Sequence, residues 1–248
     1  MRNLSTEGRT CAQHGPYRAQ EYLAGRWTNC PQCCQEAQLR QRAEAERQLA
    51  EKRRQEYLRD SGITGRYVEA TFDSFAVATK EQQAALEVCR AFTGPAFHAD
   101  QGNGLWLIGP PGTGKSHLGA AMVGDVINRH TKRAYIASAR QIVRRLRATW
   151  RRDASENEEE VLEAFGLPAL LVLDEVGLGF GTEGEQIQLL DVIDLRYTLK
   201  RPTVLLSNLN APLLRTALGD RAFDRLREGA RTIVCNWPSH RGARLSTE

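Results

Sequence analysis

Residues 109–116 read Gly109-Pro110-Pro111-Gly112-Thr113-Gly114-Lys115-Ser116, and no other stretch limits the folding of the chain as narrowly. The pattern G-x-x-x-x-G-K-[ST] works only between a strand and a helix. Its glycines let successive backbone N–H groups curl round phosphate oxygens, and the helix that follows turns its positive N-terminus to the anion. Both flanks are present: LWLI at 105–108 is a short apolar run, and a helix is predicted to begin near Lys115. Lys115 is then placed to reach the β- and γ-phosphates of ATP, and Ser116 to ligate Mg2+.

Three more apolar runs follow, AYIA (134–137), LLVLD (170–174) and TVLLS (203–207), separated by segments of helical periodicity. Continuous apolar strands alternating with helices predict a parallel sheet covered on both faces, a three-layer α/β domain. LLVLDE ends on two carboxylates. Asp174 is suited to hold the magnesium through its waters and Glu175 to activate an attacking water, a pairing that favours hydrolysis over transfer to a substrate. Asn208 closes TVLLSN, so its side chain should emerge at the same sheet edge, either to position water or to cap a turn.

With 41% apolar and 26% charged positions, 248 residues can bury one good core and carry a small appendage. Three zones are expected: a cysteine-bearing segment at 1–34, a charged helical linker or partner-binding arm at 35–61, and the main domain at 62–248. The chain contains no run of 18 apolar residues and no signal-like N-terminus, so a cytoplasmic protein without membrane contact is expected. Cysteines in that compartment stay reduced and suggest metal chemistry before disulfides. Cys11-x2-His14 and Cys30-x2-Cys33 form two chelating pairs fifteen residues apart, which suits tetrahedral zinc; an unliganded tail is the alternative, and Cys34 could replace Cys33. Cys89 and Cys235 read as core residues.

The net charge of +4 permits contact with nucleic acid without requiring it. Charge is concentrated at 140–152, where Arg140, Arg144, Arg145, Arg147, Arg151 and Arg152 interleave with apolar positions. Helical spacing predicts Ile142, Val143, Leu146 and Trp150 as a buried stripe. The outward arginines would either neutralise the phosphates of single-stranded DNA or form a solvated face paired with the glutamates at 158–160.

The order GPPGTGKSHLGAAM, ALLVLDEVG, IDLRYTLKRPTVLLSNL, LGDRAFDRLREGA and CNWPSHR resembles the ATPase domain of DnaC-type replicative helicase loaders, with IstB-type transposition ATPases close in pattern. The likeness runs over roughly 62 to 245. It implies an AAA+ fold, side-by-side assembly with ATP at subunit junctions, and ATP hydrolysis. It also implies single-stranded DNA contacts between the phosphate loop and the acidic pair, and a replicative helicase as partner. The segment GRYVEATFDSF (65–75) looks like the family's entry beside the adenine. Matched residue by residue, Asn208 falls at the first sensor and Arg225 at the arginine finger acting on a neighbour, with Arg221 a weaker candidate. Arg241 falls at the second sensor, acting in cis. The short tail after Arg241 leaves no room for the helical lid of many AAA+ proteins. A transposition helper and a zinc-bearing adaptor without productive turnover are the competing readings.

Overall fold

The computed structural model describes residues 5–177 and 181–240. Two compact units divide between Arg53 and Arg54.

The first unit holds an antiparallel sheet of β1 (Thr6–Cys11), β2 (Gly15–Leu23) and β3 (Arg26–Trp27), in that order. The turn between β1 and β2 brings Cys11 opposite Gly15 in the pairing register. Such a sheet buries almost nothing; Ala19 is its one buried apolar residue among those described, with Cys30 buried just beyond it. A fold this small needs another staple. Helix α1 (Pro31–Arg59) starts directly after, with Pro31 at its first position, where the missing N–H costs no hydrogen bond. None of its 29 residues is buried.

The second unit is built on a five-stranded sheet, β4 (Gly104–Ile108), β5 (Ala134–Ser138), β6 (Leu170–Asp174), β7 (Thr203–Ser207) and β8 (Ala230–Val234). Its order is β5-β6-β7-β4-β8 and every pairing is parallel. Alternate residues feed two cores. Leu105, Leu107, Leu170, Val172, Val204 and Leu206 face α2 (Lys80–Thr93) and α3 (Lys115–His130). Trp106, Leu171, Leu173 and Leu205 face α4 (Ala139–Ala148), α5 (Glu158–Gly166), α6 (Glu183–Thr198), α7 (Ala211–Leu218) and α8 (Asp220–Arg227). This is the three-layer arrangement the apolar runs predict: strands buried on both faces cannot alternate with polar residues. Cys89 and Cys235 are both fully buried in the first core.

Capping residues fix where the helices begin. Thr79 with Gln82, Ser138 with Gln141, Asn157 with Glu160 and Thr182 with Glu185 each form a reciprocal capping box. Glu160 is thereby engaged in the cap of α5, and Glu158 and Glu159 lie in the same first turn. Among the described residues no helix is long and apolar enough to cross a membrane.

Candidate functional site

The loop between β4 and α3 is held from three sides. Gly109 N–H donates to Ser207 O at 3.0 Å, His240 N–H to Gly112 O at 3.0 Å, and the Trp237 indole N–H to Thr113 O at 2.9 Å. Two glycines are obligatory. Gly112 (φ 85°) would set a Cβ 1.9 Å from Ser239 Oγ, and Gly114 (φ 87°) would set one 2.6 Å from the Phe75 ring; both also have backbones that side chains disfavour. The Lys115 ammonium is buried and donates to Gly109 O at 2.7 Å and Pro110 O at 2.8 Å, so its charge sits inside the curl of the loop.

A cavity of about 370 Å³ opens over this loop and is lined by Pro111 to His117 together with Asp174, Glu175 and Asn208. The parallel sheet is the reason: β4, β6 and β7 are neighbours whose carboxyl ends lie on one edge, so the loop after β4 meets Asp174, Glu175 and Asn208 there. Asp174 Oδ1 accepts the Glu175 N–H at 2.7 Å, and Glu175 adopts φ 52°. A non-glycine residue in that region carries strain of the kind found at functional sites. The Asn208 amide oxygen is buried with no hydrogen-bond partner among the described residues, and the neighbouring Ser207 hydroxyl donates to Val176 O at 2.8 Å. These residues fit a nucleotide and its magnesium: Ser116 and Asp174 offer hard oxygen ligands and Lys115 the cation.

The far wall of the cavity comes from Arg66, Tyr67, Phe75 and Gln82. Arg66 donates to the Tyr67 hydroxyl at 3.0 Å and stacks over its ring. His117 ties α3 to this wall through Thr71 O at 2.9 Å and lies 5.6 Å from the Phe75 ring. The Tyr67 and Phe75 rings give this wall the flat surface that suits a base. Of these residues, the stretch 65–75 had a sequence signal and Gln82 had none, while His117 and Trp237 stood inside motifs of the resemblance without an assigned role.

Arg225 does not line this cavity. It lies at the amino edge of the sheet in a separate cleft of about 430 Å³, ion-paired with Asp194 of α6 and 5.5 Å from the Tyr197 ring. Arg221, one turn earlier, is exposed. Arg241 lies outside the described residues.

In the first unit, Cys11, His14, Cys30 and Cys33 converge, their ligand atoms all within 4.8 Å of one another. Cys33 Sγ is 3.4 Å from Cys11 Sγ and 3.3 Å from His14 Nδ1, and Cys30 Sγ is 3.7 Å from the same nitrogen. A tetrahedral zinc with Zn–S near ~2.3 Å and Zn–N near ~2.0 Å needs its ligands about 3.5–3.8 Å apart, so the set fits. Cys34 is exposed and outside the cluster. Backbone N–H groups of Gln13 and His14 lower the Cys11 thiol to about 6, while hydrogen bonding to Cys11 and burial push Cys33 up to about 12. Crowded thiols hold back one another's protons until a cation relieves them. His14 Nε2 meets Glu36 Oε1 at 2.9 Å, the carboxylate that commonly orients a metal-bound imidazole. Nothing in the sequence marked Glu36.

Along α4, Ile142, Val143 and Leu146 are buried, as the periodicity predicts. Trp150 is not: α4 ends at Ala148, Trp150 sits in the following turn, and it is 66% exposed. The helical phase simply stops before reaching it. Arg140, Arg144 and Arg151 are exposed, Arg145 is ion-paired with Glu156 over the Phe165 ring, and Arg147 donates to Gln188 Oε1 at 3.2 Å and pairs with Glu185 at 3.8 Å. Arg145 and Arg147 are thus fixed to neighbouring elements.

Comparison with known proteins agrees with this geometry. The family model for IstB-like ATP binding proteins matches residues 32–241. The replicative helicase loader DnaC of Escherichia coli is 31% identical over 182 residues, covering 73% of each chain. The uncharacterized protein YdaV of the same organism is 30% identical over 199 residues, covering 80% of this chain and 78% of that one. The crystal structure of the DnaC helicase loader superimposes with a TM-score of 0.63 at 23% identity, over 69% of this chain and 99% of that one.

Proposed function

The chain belongs to the family of IstB-like ATP-binding proteins, and from that premise we propose that it is an ATP-hydrolysing loader that delivers a replicative helicase to single-stranded DNA. The observation that carries the reading is the single cavity shared by Lys115, Ser116, Asp174, Glu175 and Asn208, in a chain 31% identical to a replicative helicase loader.

In this reading the loop N–H groups and Lys115 bind the triphosphate, and the aromatic wall receives the base. Ser116 and Asp174 hold magnesium, which when bound offsets phosphate charge. Glu175 takes the proton of the attacking water, and Asn208 fixes that water beside the γ-phosphate. Arg225 faces away from its own chain's cavity, which supports action on a neighbour's γ-phosphate; Arg241 keeps the second-sensor role on resemblance alone. Trp150 with Arg144 and Arg151 offers a stacking ring beside exposed cations, the pairing that binds single strands without sequence preference. Zinc held by Cys11, His14, Cys30 and Cys33 stabilises the N-terminal arm that meets the helicase, in the cytoplasm.

The test is an ATPase assay with and without oligo-dT. Glu175→Gln should keep ATP affinity and lose hydrolysis, whereas Lys115→Ala should lose binding itself. Hydrolysis untouched by Glu175→Gln would remove the proposed base. Co-purification with a transposase in place of a replicative helicase would redirect the reading to transposition.

A further inference from the structure

We infer that Gln82 reads the base of the bound nucleotide, its amide NH2 donating to a bare ring nitrogen of adenine. The inference rests on the proposed seating of the base against the Tyr67 and Phe75 rings, and it gives a role to a residue that has none so far.

The orientation of this amide is fixed by the backbone. Gln82 is the third residue of α2 and closes its capping box: Oε1 accepts the Ala78 N–H at 2.6 Å and the Thr79 N–H at 3.0 Å, while the Gln82 N–H donates to Thr79 Oγ1 at 3.2 Å. Two backbone donors aimed at one atom identify it as the oxygen, because an NH2 turned toward them would set donor against donor. Both lone pairs of Oε1 are then used. The two N–H groups of Nε2 make no hydrogen bond among the described residues. Gln82 is half-buried and lines the nucleotide cavity, and its Nε2 is accessible, unlike the Nε2 of Gln188, which is sealed in without a partner. What the side chain offers the cavity is therefore a donor.

The cap alone does not call for an amide. Glu160 and Glu185 close the boxes of α5 and α6 with carboxylates, and a carboxylate at a helix N-terminus gains from the helix dipole. Glutamine adds a neutral N–H donor, in a cavity where a further carboxylate would repel a triphosphate. The surroundings hold that donor still. Phe72 and Phe75 share the first core with Ala85, Leu86 and Cys89 of α2, and the Phe75 ring packs so closely on Gly114 that a Cβ there would come within 2.6 Å. The first turn of α2, the ring and the phosphate loop are thus braced on one another. In adenine N1, N3 and N7 carry lone pairs and no proton, so each accepts such a donor. A site built to hydrogen-bond a ligand atom rejects the analogue that lacks it, because its own polar group is left unpaired.

Gln82→Glu separates this role from the cap. It keeps an oxygen for the Ala78 and Thr79 N–H groups and sets a second oxygen where the NH2 stands, so the melting temperature should hold while Kd for ATP with magnesium rises about tenfold. Inorganic tripolyphosphate, which has no base, should lose far less affinity. Gln82→Met removes the donor without adding charge and should show the same selective loss for ATP, whatever the weakened cap does to its melting temperature. Ligand analogues locate the contact: of 1-deaza-, 3-deaza- and 7-deaza-ATP, one should bind the wild-type chain about tenfold more weakly than ATP and bind Gln82→Met no more weakly than ATP does. An unchanged Kd for ATP in both variants, an equal loss for tripolyphosphate, or a wild-type chain that holds all three analogues as tightly as ATP overturns the inference alone. A wild-type chain that binds tripolyphosphate as tightly as ATP overturns the seating of the base on this wall, and this inference with it.

Discussion

Replacing Trp150 with alanine separates two accounts of the same residue. Helical spacing groups it with Ile142, Val143 and Leu146, and a tryptophan in that stripe would cost about 3–5 kcal/mol on truncation. The structure instead leaves 66% of it exposed in the turn after α4, so Trp150→Ala should change unfolding free energy by less than about 0.5 kcal/mol. The loss should appear in DNA binding. A base stacked on an aromatic ring contributes about 1–3 kcal/mol, which is roughly a 5- to 150-fold weaker Kd. Anisotropy of a labelled oligo-dT measures the affinity, and urea unfolding measures the stability. Of the other three tryptophans, Trp106 and Trp237 are buried at 3% and 6% exposure and Trp27 is half-buried in the N-terminal sheet, so the part of the fluorescence quenching by oligo-dT that reports on this ring should disappear in the variant. The dependence of affinity on salt should persist in Trp150→Ala and flatten in Arg144→Ala with Arg151→Ala, since counterion release follows phosphate contacts and not stacking. A several kcal/mol loss of stability, or an unchanged Kd, would refute this assignment of the ring.

Purified protein should carry about one zinc per chain by elemental analysis, and Glu36→Gln should weaken zinc affinity about 10- to 100-fold by releasing His14; a metal-free protein with an intact N-terminal sheet would contradict both. Arg196 is 1% exposed and donates to the carbonyls of Phe165, Gly166, Pro168 and Pro202. Arg196→Leu should lose about 3–5 kcal/mol in urea unfolding, because four buried carbonyls lose their donor, and a loss below about 1 kcal/mol would show that those carbonyls find other partners.

The sheet was readable from the sequence because parallel strands buried on both faces leave uninterrupted apolar runs, and the phosphate loop because its chemistry admits few residues. Asp174 and Glu175 followed from their place at the end of such a run. Contacts between distant side chains left no comparable trace. Arg145 meets Glu156 and Arg147 meets Glu185, not the glutamates at 158–160, because pairing depends on how α4, α5 and α6 pack and not on spacing. Trp150 was misjudged because a hydrophobic period carries no marker of where a helix stops; no glycine or proline intervenes between Ser138 and Gly166. The three-stranded sheet of residues 6–27 is nearly without buried apolar residues, so it has no alternating pattern to detect. The metal cluster was legible only as spacing, and its orienting Glu36 not at all.

The pairing of β4 with β8 has a consequence for synthesis. Ile108 and Val234 are register partners, and Cys235 N–H closes onto Ile108 O at 2.7 Å just before Trp237 and His240 reach the phosphate loop. A ribosome adding about 5–20 residues per second leaves the loop waiting on the order of ten seconds for the strand that braces it. During that interval β4 has an open edge and the nascent chain has no finished nucleotide site. The braced form of the loop therefore arrives late in translation.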